Sequence, residues 1–422
     1  MDATLSKRVL LLSVATSYRV AAYQRAATAL GLETLIACDG NHALASELYE
    51  GISVDLQSVD DTKTRLCREH QARPFCAVVA VDDATVELAS VVAEALGLPH
   101  NPVTAAKRTT RKDLARQCLA EAGLETPHFK RLDLRIPIEQ QLDGIEFPCV
   151  IKPLAMSGSR GVMRADSPEE LARRCERAAR IVAHARHADE RTHLLVESFL
   201  PGGEVALEGL LHDGELEVLA IFDKPDPLDG PYFEETYYIT PSRLPGAVQQ
   251  QVISCVANAA TAFGLVRGPV HAEVRVDGSG ARLIELAART IGGDCARLME
   301  FGTGHTLESL VLSNASGLSI ERHAASGAAG VLMLPTQHAG TLRRVEGVLD
   351  ALKVDGVKDV VITVREGYEL VPLPEGNSYL GFVFATAGDP ADVERTLREA
   401  HRRLNVVVAP SWKIEPVNVS RA

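Results

Sequence analysis

The stretch from His271 to Arg289 constrains the fold most. His271-Ala-Glu-Val-Arg-Val276 and Arg282-Leu-Ile-Glu-Leu-Ala-Ala-Arg289 both alternate apolar and polar residues, and Asp277-Gly-Ser-Gly280 separates them. Alternation with period two on either side of a turn signal predicts a hairpin. A turn over residues 278 to 280 sets Glu273 directly opposite Glu285 on one face of the sheet. Like charges placed so repel and destabilise the pair. A cation between them removes that cost, and carboxylate oxygens suit Mg²⁺. A solvated face, or pairing with Arg275 or Arg289, is the alternative use of the two acids.

Upstream, the pattern is strand, helix, strand, repeated. Val9 to Val14 reads as a buried strand, Ser17 to Leu30 as a helix stopped by Gly31, and Glu33 to Ala37 as a second strand. Cys76 to Val81 and Thr85 to Leu96, ended by Gly97, repeat the unit. Such alternation implies a parallel sheet flanked by helices. A dinucleotide site would need Gly-x-Gly-x-x-Gly after the first strand. Ser13-Val-Ala-Thr-Ser-Tyr-Arg19 contains no glycine, so this Rossmann-like unit is expected to frame a substrate instead.

Length and charge narrow the function. A chain of 422 residues suggests about two to four domains or subdomains. The net charge of −12 argues against general nucleic-acid binding, since no basic stripe offsets it. Eight scattered cysteines without a Cys-x-x-Cys pair fit reduced thiols in the cytoplasm. Lys7-Arg8 before Val9 to Val14 imitates a signal peptide, but the apolar run has only strand length. No segment approaches the ~20 apolar residues of a membrane span, so no membrane partner is expected. His184, His187 and His193 lie on a charged helix end without ligand spacing and read as solvated surface.

Several pieces suggest phosphate chemistry. Lys112 opens a helical segment running from Thr110 to Gly123, with Leu114, Cys118 and Leu119 as its apolar stripe. Phe147-Pro-Cys-Val-Ile-Lys152-Pro153 is an apolar strand ending in a lone lysine. Ala155-Met-Ser157-Gly158-Ser159-Arg160-Gly161 follows as a small-residue loop before a strand from Val162. Such a loop exposes backbone N–H groups that cradle phosphates, and the lysine adds a point charge. Gly-x-x-x-x-Gly-Lys-Ser/Thr is absent, so this is not a P-loop. Ser167-Pro-Glu-Glu170 starts a helix with Ser as N-cap and Pro at the first position. His193 to Glu204 then gives a strand, a turn and a second acid, with Glu197 to Leu200 placed to run along an adenine edge.

Taken in order, Lys112, Lys152 with its loop, Glu197 with Glu204, and Glu273 with Glu285 resemble the nucleotide and magnesium signature of the ATP-grasp superfamily. The resemblance implies an α/β and α+β protein in three parts. These are a Rossmann-like N-terminal domain (1–102), an ATP-grasp domain (103–318) with a lid at about 150–200, and an α+β C-terminal domain (319–422). By that resemblance Lys112, Lys152, Ser157, Gly158, Ser159 and Gly161 contact phosphates, and Glu197, Ser198 and Leu200 the adenine. Glu204 would hold the ribose, and Glu273 and Glu285 the Mg²⁺ or Mn²⁺ that accompanies ATP.

The common family pattern carries Asn two positions beyond the second acid as a further metal ligand; here that residue is Ala287. The sequence Glu285-Leu-Ala-Ala-Arg289-Thr-Ile-Gly-Gly293 is similar to the branch of L-amino-acid ligases. The implied activity is ATP-dependent coupling of a small-molecule carboxylate to an amine through an acylphosphate, by a homodimer. Arg289, His271 and Lys152 are then the expected catalytic residues. Glu234, Glu235, Arg289, Gly292 and Gly293 are the expected substrate contacts. A bicarbonate-activating carboxylase and a nucleotide-binding protein without turnover are the alternatives. Gly246 to Phe263 reads as an amphipathic scaffold helix. Strands Gly330 to Leu334, Val357 to Val364 and Tyr379 to Ala385, with a helix starting at Asp389-Pro390, complete the C-terminal part.

Overall fold

The computed structural model describes residues 7–40, 51–321, 327–376 and 378–410. Arg8–Ser13, Glu33–Cys38, Gly51–Ser53 and Ala77–Ala80 form a four-stranded parallel sheet with Arg8–Ser13 between Glu33–Cys38 and Ala77–Ala80. The first strand is buried at every position, as a run without alternation requires when helices cover both faces of a sheet. Helices Val20–Ala29, Val59–Ala72 and Val86–Leu96 accompany it, the last ending on Gly97 in the left-handed conformation. The helix expected from Ser17 begins instead at Val20, because the intervening turn is held by Asp82. The Asp82 carboxylate accepts from Ser13 Oγ (2.9 Å), Val14 N (3.1 Å) and Ser17 Oγ (2.8 Å). Those bonds fix the crevice beyond the carboxyl ends of two neighbouring strands, where open α/β sheets place ligands.

A second sheet of four strands orders Phe129–Asp133, His193–Ser198, Cys149–Pro153 and Met163–Ala165, all antiparallel. It therefore begins some way before the lid limits of about 150–200 drawn from sequence. Helix Pro168–Val182 packs on it through Leu171, Cys175, Ala178 and Val182. Ser167 caps that helix as expected, accepting from Glu170 N. Arg177 ties the unit to a distant loop by a bidentate pair with Glu375 (2.6 and 2.8 Å), and Gly161 N donates to Pro374 O (2.8 Å).

The third sheet has eight strands, from Gly280–Ala287 at one edge to Val357–Ile362 at the other. Tyr237–Thr240 pairs with Ala328–Leu334, so the sheet runs unbroken past residue 318. Helix Gly246–Phe263 has the limits expected from sequence and buries Val252, Val256 and Phe263 against Leu283 and Leu286. Asp389 caps helix Pro390–Arg403, whose Val393 and Leu397 close the far end of the core.

The hairpin reaches its expected pairing by another route. Asp277 pairs with Gly280, so the turn is Gly278-Ser279 and shorter than the one expected. A β-bulge then shifts the register between Glu273 and Val274, and Glu273 still lies opposite Glu285.

Candidate active site

Three of the four sheets border one cavity of about 780 Å³; the fourth, of Gly340–Glu346, Glu369–Leu370 and Asn405–Ala409, does not line it. Its floor is the face of the eight-stranded sheet that carries Glu204, His271, Glu273, Arg275 and Glu285. Lys152, Ser157, Gly158 and Ser159 line it from the lid, and Tyr18, Arg19 and Asp83 from the N-terminal domain.

Lys152 ends its strand buried, with Nζ 2.6 Å from Glu197 Oε2. Arg116 grips the same carboxylate from the other side, Nε to Oε1 at 2.7 Å, and also donates to the carbonyls of Leu283 and Ile284. Burial alone would raise the Glu197 carboxyl, but Arg116 and Lys152 outweigh it and hold it at about 2. The Glu197 side chain is thus the anchor of Lys152, and Glu197, Ser198, Phe199 and Leu200 all line the cavity. Lys112 stands at the start of its helix, donating to Met156 O (2.8 Å) and Glu285 Oε1 (3.1 Å). The loop after Lys152 turns tightly, with φ of 65° at Gly158 and 54° at Ser159.

The densest charge lies around Lys224. Its ammonium is bonded by Glu204 (2.7 Å) and Glu235, with Glu273 at 3.4 Å. The three acids offer oxygens that all lie within 4.8 Å of one another. Burial works against the Lys224 charge, but Glu204, Glu235 and Glu273 outweigh it and raise its pKa well above the ordinary value. The acids divide in response. Burial lifts Glu235 to about 7, whereas Lys224 and His271 overcome burial at Glu273 and keep it well below the usual carboxylate range. Glu204, expected at a ribose, has its second oxygen taken by Arg275 at 2.9 Å, so its carboxylate belongs to this cluster.

Arg289 lines the cavity but pairs across domains with Asp83 (Nε to Oδ1, 2.8 Å), not within its own hairpin. His271 Nδ1 lies 3.0 Å from Glu208, and Glu208 also accepts from Ile291 N. Burial alone would lower His271, yet its bonds to Glu208 and Glu273 raise it. Gly292 and Gly293 follow as cavity wall, fastened by Arg19 to the carbonyls of Thr290 and Ile291 and by Tyr18 Oη to Gly293 O (2.8 Å).

Two expected site residues fall outside. Glu234 faces away, accepting from Thr336 N at 3.0 Å beside a separate small cavity. Gly161 sits against Pro153, where any Cβ would meet the ring at 2.6 Å, and serves the contact to Pro374. Sequence reasoning also missed Arg116, Glu208 and Asp83, and placed Lys224 only within a substrate-facing segment, Asp223 to Glu235. Arg116 lies one helical turn after Lys112, on the same face. Lys224-Pro225 repeats the strand-end Lys-Pro of Lys152-Pro153, and Glu208 shares the strand face of Glu204. Only Asp83 had no local signal.

Comparison with known proteins agrees with this geometry. Residues 145–297 match the family model of an ATP-grasp domain, 23–100 that of an ATP-grasp N-terminal domain, and 332–409 that of an L-amino acid ligase C-terminal domain. The chain is 26% identical to alanine–anticapsin ligase of Bacillus subtilis over 215 residues, 47% of this chain and 45% of that protein. It is 26% identical to dapdiamide A synthase of Enterobacter agglomerans over 346 residues, 78% of this chain and 80% of that one. Among solved structures, an L-amino acid ligase from Bacillus licheniformis superposes with a TM-score of 0.83 at 25% identity, covering 96% of this chain and 99% of that one. Among the described residues no helix is long and apolar enough to cross a membrane.

Proposed function

We propose that this chain, which carries an ATP-grasp domain, is an ATP-dependent ligase joining the carboxylate of one amino acid to the amine of another. The observation that carries the reading is one cavity in which tethered lysines, a carboxylate cluster and Arg289 converge beneath a latched lid. Lys112 and Lys152 serve the phosphates of ATP, with the loop 157–159, and the backbone at 198–200 serves the adenine.

The donor set fits Mg²⁺. Glu204, Glu235 and Glu273 converge as hard oxygen ligands, and Glu285 lies opposite Glu273 on the next strand. Glu235 and Glu204 supply carboxylates where Ala287 supplies none. When bound, the metal would neutralise phosphate charge and help align the transferring phosphoryl group.

A carboxylate is a poor acyl donor at neutral pH, so amide formation requires its activation. The γ-phosphoryl passes in line to a carboxylate oxygen, giving an acylphosphate and ADP. The amine then attacks the carbonyl carbon, the C–O bond to phosphate breaks, and the proton leaves the nitrogen. Lys152, Arg289 and His271 bear on the charge that develops, in a site where fixed donors act more strongly than in water. Water would hydrolyse the acylphosphate, and a closed lid would exclude that water; the Arg177–Glu375 pair ties this unit to the loop around Pro374.

Phosphate and ADP release from Mg²⁺-ATP, measured over single and paired amino acids, tests the proposal. Release that requires a pair and yields a condensed product by mass is the expected result. Release with bicarbonate alone, or ATP binding without turnover for every pair, would contradict it.

A further inference from the structure

The cavity continues past the carboxylate cluster into a compartment with different chemistry. Tyr238, whose Oη donates to Glu235 Oε1 at 2.7 Å, marks the border. Beyond it stand Cys295, Met333, Phe382 and Tyr379, all lining the same cavity. They form one wall: Cys295 Sγ is 3.6 Å from Met333 Sδ, and the Tyr379 and Phe382 rings are 6.2 Å apart. Gly293 completes it. A Cβ there would lie 3.3 Å from Met333 Sδ, 3.3 Å from Phe382 Cε1 and 3.5 Å from Cys295 Sγ.

The cations that line this compartment already have partners. Arg19 donates to the carbonyls of Val81, Thr290 and Ile291, Arg289 is held by Asp83, and Lys224 by its acids. Asp294 is paired with Arg297, and Glu235 with Lys224 and Tyr238. A charged ligand group entering here would lose its water and gain no counter-ion, which costs several-fold more than burying an apolar group gains. Among the described residues the Tyr379 hydroxyl has no hydrogen-bond partner, so a single polar atom is tolerated beside the apolar wall.

We infer that the acid activated by this enzyme is an amino acid with an uncharged, mainly apolar side chain, seated against Met333, Phe382, Cys295 and Tyr379. The inference rests on the ligase reading. On that reading the acid's carboxylate meets the phosphoryl group beside Lys152, Arg289 and His271, and the compartment belongs to the same cavity, so the side chain of the same molecule enters it. The amine-bearing partner then contributes the other half of the product.

The test holds one amine constant and varies the acid in the wild-type protein with Mg²⁺-ATP, reading kcat/KM for ADP release. Leucine, methionine and phenylalanine should each exceed glutamate and lysine by at least about tenfold, the equivalent of about 1.4 kcal/mol. Fragmentation of the product should place the apolar residue on the acyl side. In Met333→Ala, which enlarges the compartment, the ranking should move towards phenylalanine or tryptophan relative to leucine, with thermal unfolding as the folding control. Preference for glutamate or lysine as donor, or the apolar residue on the amine side, would overturn this inference and leave the ligase standing. Absence of amino-acid-dependent ADP release throughout would overturn the ligase reading and this inference with it.

Discussion

Lys152→Ala is expected to lower kcat/KM for ADP release by about 150-fold or more, a loss of at least about 3 kcal/mol of transition-state stabilisation. Lys152 ends a buried strand and is held by Glu197, so its ammonium arrives at the cavity already oriented. A charge fixed in a water-poor site needs no reorganisation as the phosphoryl group transfers. The same variant should fold, because Arg116 remains bonded to both Glu197 oxygens and keeps that carboxylate paired. Steady-state kinetics beside a thermal melt separates the two effects. Turnover within a few-fold of wild type would remove Lys152 from the phosphate site.

Glu197→Ala should act in the opposite manner, through stability. Removing this carboxylate leaves Arg116 and Lys152 side by side and buried with no counter-charge, a change expected to cost about 3–5 kcal/mol. The pH dependence follows from the depressed carboxyl. Glu197 titrates at about 2 when folded, against about 4.3 in an unfolded chain. Its contribution is therefore complete above about pH 4.3 and is lost as the pH falls through the folded value. Melting temperature measured from pH 7 downward should show this acid loss in wild type. In Glu197→Gln that component of the slope should be missing. Equal melting of Glu197→Ala and wild type at neutral pH would mean that the Arg116–Glu197–Lys152 group holds nothing together.

Much of the site was legible because its residues sit in local patterns. Alternation revealed the hairpin and set Glu273 opposite Glu285, although the bulge beside Val274 did what a longer turn was expected to do. An apolar strand closed by a lysine revealed Lys152, and Gly-Ser spacing its loop. The electrostatic partners were hidden, since each comes from another element: Lys224 from a neighbouring strand, Arg116 from a helix, Asp83 from the N-terminal sheet. A carboxylate's role depends on which cation reaches it. The sequence therefore does not show that the Glu204 and Glu197 carboxylates also hold Lys224 and Lys152. Tyr237–Thr240 and Ala328–Leu334, on either side of the expected division at residue 318, share one sheet and one core. Strand pairing across a long insertion leaves no periodic trace in the chain.

The measurement that bears most directly on acylphosphate formation uses an amino acid labelled with ¹⁸O in both carboxylate oxygens, with Mg²⁺-ATP and an amine. If the carboxylate is phosphorylated and then displaced by the amine, each released phosphate carries one ¹⁸O and the new amide retains the other. Unlabelled phosphate accompanying product, or label found in AMP, would contradict the account.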